Sequence, residues 1–159
     1  MKQKSLSNWL KAILIGIGVC GLVFYLYILP DWGKSLAGHY PEYAHAYWPW
    51  LIFLWVTAVP CYTVLVLGWK IAVNIGRDRS FSQENARLLK WISWLAAGDT
   101  AFFFAGNTVL LFLNMNHPGI VLLAMVVAFA GVAVAVAAAA LSHLVQKAAD
   151  LQEQSDLTI

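Results

Sequence analysis

The sequence predicts an all-α membrane protein: a bundle of four transmembrane helices, both chain ends cytoplasmic, with helix four extended into the cytoplasm. Three observations carry this expectation. Of the 159 residues, 61% are apolar and only 11% charged, against about 25% charged in an ordinary soluble domain. Four apolar runs approach the roughly 20 residues that a helix needs to cross a hydrocarbon core. Lys and Arg fall almost entirely on one side of those runs. None of the runs alternates with the period of barrel strands, so helices are left as the way to satisfy backbone groups in lipid.

The first span covers residues 12–29 and is expected to stop at Pro30-Asp31. Lys2 and Lys4 precede it as they would in a secretory signal, but the run is longer than a usual signal core. The small-residue site at Ser35-Leu36-Ala37 also lies beyond a Pro-Asp-Trp break, so a retained helix is expected. Span two covers residues 50–69 without a charged side chain and contains Pro60, which removes one backbone bond and favours a kink. Span three covers residues 91–113 and is interrupted by Asp99. Span four covers residues 120–141, leaving a tail over 142–159 in a single domain spanning 1–159.

Charge orients these spans. Lys2, Lys4 and Lys11 precede the first; Lys70, Arg77, Arg79, Arg87 and Lys90 surround the segment between the second and third; Lys147 follows the fourth. The opposite side carries only Lys34. In a bacterial cell this distribution places both termini and the central loop in the cytoplasm, and the protein in the inner membrane. Tryptophans fit the interfaces: Trp9, Trp69, Trp91 and Trp94 on the inner side, Trp32, Trp48 and Trp50 on the outer.

The outer loop, 31–48, contains His39, Glu42 and His45. Two imidazoles and a carboxylate are zinc or copper donors, yet their spacing matches no standard motif and an interfacial aromatic loop explains them equally well. Cys20 and Cys61 lie within apolar runs without a CxxC pair, so they read as packing residues rather than a redox couple. No cofactor is expected. A net charge of +2 without a long basic run gives no footprint for direct nucleic-acid binding.

In the central loop, Ser80 with Gln83 has capping-box spacing and Ser82 is a second candidate cap, so helix three should begin near Ser82. Glu84 suits its first turn, and Arg77 and Arg79 can meet anionic lipid heads or a partner. Asp99 falls near mid-bilayer, where a charge costs at least about 2.5–3.5 kcal/mol, and should therefore face the bundle interior. With Asn107 on the same span it is either interhelical polar glue or a proton-relay or substrate site. In the turn before helix four, Pro118 fits the first helical position, with His117 or Asn116 as its cap. Gly131, Ala135 and Ala139, like Ala124 and Ala128, recur at four-residue spacing as a close-packing seam within the chain or between copies.

Beyond the membrane, Leu141, Leu144, Val145, Ala148 and Leu151 recur at helical spacing among polar residues, and the helix is expected to fray near Ser155. One lysine, Lys147, stands among several acids, Asp156 included, which disfavours an anionic membrane and favours docking a partner helix or self-association. The tail, the segment 76–90 and the turn Asn114 to Ile120 together resemble a small bacterial membrane family, domain of unknown function 2975. The ending Asp-Leu-Thr-Ile is the most specific part of that resemblance. It implies a four-helix protein of a kind often encoded beside a Cro/C1-type helix-turn-helix regulator, and hence a membrane partner of a transcription factor with no catalytic residues to carry over. A non-enzymatic regulator is therefore the leading expectation, using Arg77, Arg79, Leu144, Lys147, Leu151 and Asp156. An oligomeric transporter or channel around Asp99 is the alternative. Enzymatic groups in a recognisable arrangement are lacking.

Overall fold

In the computed structural model of the chain, residues 3–157 are described, apart from the side chain of Asp156. All the regular structure among them is helical. Helix α1 covers Gln3–Val23; a wider turn, Phe24–Ile28, leads without interruption into α2, Leu29–His39. The chain therefore does not stop at Pro30-Asp31. The Leu29 N–H reaches back five residues to the Phe24 carbonyl, opening one π-type turn immediately before the proline. That wide turn accommodates a ring that would otherwise press on the preceding turn, and a residue with no N–H to donate. A short 3-10 helix, Pro41–Ala46, then leads into α3, Tyr47–Gly76. The segment expected to be an exterior loop is thus almost wholly helical, folded back on itself at Tyr40.

Helix α3 runs through Pro60 without a break. It ends with Asp78 in the left-handed conformation (φ 57°), the Arg79 N–H returning to the Asn74 carbonyl at 3.0 Å. Helix α4, Gln83–Phe112, ends in the same way. Asn114 has φ 55°, and the Met115 N–H returns to the Leu110 carbonyl at 2.8 Å. Both are Schellman endings with Asp or Asn where glycine is commoner. The start of α4 follows expectation at Ser82, whose hydroxyl accepts the Asn85 N–H at 3.2 Å. The start of α5, Pro118–Leu157, does so too, since His117 Nδ1 accepts the Gly119 N–H at 3.0 Å. Helix α5 continues past Ser155, where fraying was expected.

Helix α1 packs on α3, α3 on α4, and α4 on α5, while α1 and α5 do not meet. The α4–α5 pair is the most extensive. Its seam on α5 runs Ala124, Ala128, Gly131, Ala135, Ala138, Ser142, Val145, Ala149, with spacing alternating between four and three residues. Each of these is at least partly buried. The facing positions on α4 repeat likewise through Ala86, Leu89, Ser93, Ala96 and Thr100. This is the 3.5-residue period of a left-handed coiled coil, here antiparallel and built from small residues. The strict four-residue seam read from the sequence is thereby corrected: Ala138 is buried and Ala139 is exposed. A constant step of four drifts about 40° per repeat around a helix of 3.6 residues per turn, so Ala139 leaves the interface.

Small residues let the backbones approach closely enough for cross-helix hydrogen bonds. Ser93 donates to the Ala135 carbonyl at 2.8 Å, and Ser142 to the Ala86 carbonyl at 2.7 Å. Gly131 lies against Thr100, where a Cβ would overlap the hydroxyl. Gly106 of α4 likewise takes the Phe53 ring of α3, where any side chain would overlap it. Four continuous helical stretches of 30 to 38 residues are long and apolar enough to cross a membrane. Large side chains such as Ile15, Val126 and Phe129 point outward, as a lipid solvent permits and water would not.

Candidate functional site

The loop 77–82, the start of α1 and the end of α5 share one end of the molecule. Asn85 organises that end and is 1% exposed. Its Nδ2 donates to the carbonyls of Arg79 (3.1 Å) and Ser80 (3.0 Å), its Oδ1 accepts from Asn74 Nδ2 at 2.9 Å, and its N–H is held by Ser82. One side chain thus joins the end of α3, the loop and the start of α4. Around it, Ser7 donates to the Ala72 carbonyl at 2.6 Å, and Ser80 to Gln3 Oε1 at 3.2 Å. Gln83 donates to Asp150, tying α4 to the α5 extension. Ala86, Leu89 and Val145, with Ile71 against them, form a small apolar core beneath. Asn74 and Asn85 escaped the sequence reading. The signal available was an Asn three residues after a capping Ser and nine after a helix-ending Gly.

Above this scaffold the anticipated partner residues are open. Arg77 and Arg79 are exposed, and Arg79 pairs with the exposed Glu84 at 3.8 Å, a contact worth little in water. Leu144 is 62% and Leu151 64% exposed, Leu141 is exposed as well, and Lys147 lies alongside. Ala148 falls in the same row at helical spacing. These residues form an apolar stripe on α5 about a third of a turn from the buried seam. The side chain of Asp156 lies outside the described residues.

The second group of candidates separates. Asp99 faces α3, its Oδ2 accepting from Cys61 Sγ at 3.5 Å, while its Oδ1 is buried with no partner among the described residues. The Tyr25 hydroxyl lies against Thr57 (3.3 Å) and Cys61. Three spans therefore contribute to one polar patch. Asn107 belongs elsewhere: fully buried, it donates to the Phe103 carbonyl and accepts from Asn116 Nδ2 at 3.0 Å, locking the α4–α5 turn. Thr63, Thr100 and Thr108 bond to carbonyls of their own helices. His39 bonds to the Ser35 carbonyl at 2.8 Å. His39, Glu42 and His45 are not brought together, and no group of three His, Cys, Asp or Glu among the described residues could hold a metal ion.

A layer of long apolar helices with a polar cluster inside and a charged end defines a multi-pass, all-α membrane protein. The chain belongs to the family described as "Protein of unknown function (DUF2975)", whose profile matches residues 32–159. It is similar to the "Uncharacterized membrane protein YoaS" of Bacillus subtilis (strain 168), 31% identical over 153 residues, which is 95% of this chain and 96% of that one. No solved structure matches it.

Proposed function

We propose that the protein is a non-enzymatic regulator of a bacterial inner membrane that docks a cytoplasmic helix-turn-helix transcription factor on the end formed by 77–90 and 141–159. The observation that carries this reading is the exposed apolar stripe of Leu144 and Leu151 on α5. Helix α5 is 40 residues long, about 60 Å at 1.5 Å per residue, roughly twice a hydrocarbon core. A helix extending that far beyond the lipid and presenting leucines offers a groove-filling face to another helix. Arg77 and Arg79 add positive charge beside it.

Orientation supports the same reading. Lys4, Lys11, Lys70, Arg77, Arg79, Arg87, Lys90 and Lys147 cluster at the end that holds the termini, and Lys34 stands alone at the other. Reporter fusions at residue 159 and at the 114–117 turn test this directly: a cytoplasm-active reporter should work only at the first site, an export-dependent one only at the second. Docking itself is tested by co-purification with any helix-turn-helix regulator encoded beside the gene, which should succeed with the full chain and fail when residues 146–159 are removed.

The unpartnered Asp99 Oδ1 favours a second reading, a small oligomeric transporter or channel. Proteoliposome flux that vanishes in Asp99→Asn while the protein stays assembled would support it. Unchanged assembly without any flux in the wild type leaves Asp99 as the polar contact between α3 and α4.

A further inference from the structure

At the end opposite the termini, α2, the 3-10 helix, the start of α3 and the α4–α5 turn line a half-open cavity of about 290 Å³. That lies at the small edge of ligand pockets, suited to a single ring system rather than a whole lipid. Its walls are apolar and aromatic, with Leu29, Leu51 and Ile120 beside Tyr43, Tyr47 and Trp50. No Asp, Glu, Lys or Arg lines it, so a phosphate, a carboxylate or an ammonium would enter without a counter-charge, at a high desolvation cost.

The polar groups that remain are mostly donors. His117 lines the cavity and spends Nδ1 on the Gly119 N–H. A neutral ring in that state carries its hydrogen on Nε2, free to donate. Tyr40 and Tyr43 add hydroxyls. Trp50 lines the wall, and its indole N–H is buried with no partner among the described residues. That N–H is closed even to water, so the donors left to a ligand are those of His117, Tyr40 and Tyr43. Asn116 brings no free amide, since its Nδ2 is held by Asn107 and its Oδ1 by the His117 N–H.

We propose that this cavity binds an uncharged, lipid-soluble ring compound bearing carbonyl acceptors, of the quinone headgroup type. Aromatic walls stack the ring, hydrogen-bond donors fix its carbonyls, and the lack of charged groups excludes ionic metabolites and phospholipid heads. The site is independent of the cytoplasmic docking reading and stands or falls separately.

Binding of duroquinone, whose fully methylated ring is closed to addition by the Cys20 and Cys61 thiols, is measured by equilibrium dialysis against the full chain in nanodiscs. Empty nanodiscs provide the partition background. Durene, the same carbon skeleton without carbonyls, is the control. Saturable binding of one duroquinone per chain is expected. One net hydrogen bond corresponds to about a fivefold change in affinity, so durene should bind at least about fivefold more weakly. Tyr40→Phe combined with Tyr43→Phe should weaken duroquinone but not durene, and Ala37→Trp, which fills the cavity, should abolish both. Uptake no greater than by empty nanodiscs overturns the proposal. So does equal affinity for duroquinone and durene, or saturable binding that survives Ala37→Trp.

Discussion

Asn85 bonds with its backbone and with both ends of its amide, to the Ser82 hydroxyl, two backbone carbonyls and the buried Asn74 amide. Asn85→Ala would strand the buried Asn74 amide and take the donor from the part-buried carbonyls of Arg79 and Ser80. An unsatisfied buried polar group costs about 1–3 kcal/mol, so a loss of at least about 2 kcal/mol is expected. Thermal unfolding in detergent, followed by size-exclusion fluorescence, should show a midpoint several degrees lower; an unchanged midpoint would contradict this role. Asp99→Asn, by contrast, keeps a polar side chain opposite Cys61 and should leave that midpoint within experimental scatter. Ser82 and His117 were legible as caps because a cap depends on a few adjacent residues. Asn85 was not, because its partner Asn74 lies on another helix, and only the tertiary turn brings the two amides together. The same holds for Asn107 and Asn116. Polar residues near a span, read singly, cannot be divided into those that pin a turn and those, like Asp99, left with a free oxygen.

Helix α5 carries two faces of different period. The buried one follows 3.5 residues and consists of Ala, Gly and Ser with Val145; the exposed one carries large apolar side chains such as Leu122, Val126 and Phe129. Small residues were legible as a seam, but a four-residue rule selected Ala139 where the packing uses Ala138. Substitution separates the two registers. Ala138→Leu should force α4 and α5 apart and cost about 1–3 kcal/mol, the usual range for overpacking. Ala139→Leu adds apolar surface toward lipid and should change stability little. Unfolding of the two variants in a denaturing detergent series gives the comparison, and equal stability would refute the assigned register. The first span illustrates the opposite difficulty. Proline and aspartate together read as a stop, yet a π-type turn before Pro30 carries the helix onward to His39. The turn accommodates Pro30 without ending the helix, and α2 then packs on α3, where Gly33 lies so close to Tyr47 that a Cβ would sit 2.8 Å from the ring.

For the whole molecule, the four apolar stretches and the all-helical class followed from composition and run length, since lipid leaves few other solutions. How the helices neighbour one another did not follow, because lipid-facing and protein-facing positions are equally apolar here. The structure answers with helices packed in chain order, α1 and α5 apart, and a long α5 joining a cavity at one end to an exposed leucine stripe at the other. The central claim is that this stripe docks a cytoplasmic helix-turn-helix regulator. The most direct measurement is the affinity of the full-length protein in nanodiscs for any helix-turn-helix regulator encoded beside its gene, with wild type compared to a Leu144→Glu, Leu151→Glu variant. Both side chains are exposed, so folding should be preserved and checked by an unchanged unfolding midpoint. The account predicts saturable binding by the wild type and at least about a tenfold loss in the variant, the effect of removing about 1.4 kcal/mol. Binding that is absent in the wild type, or undiminished in the folded variant, would contradict it.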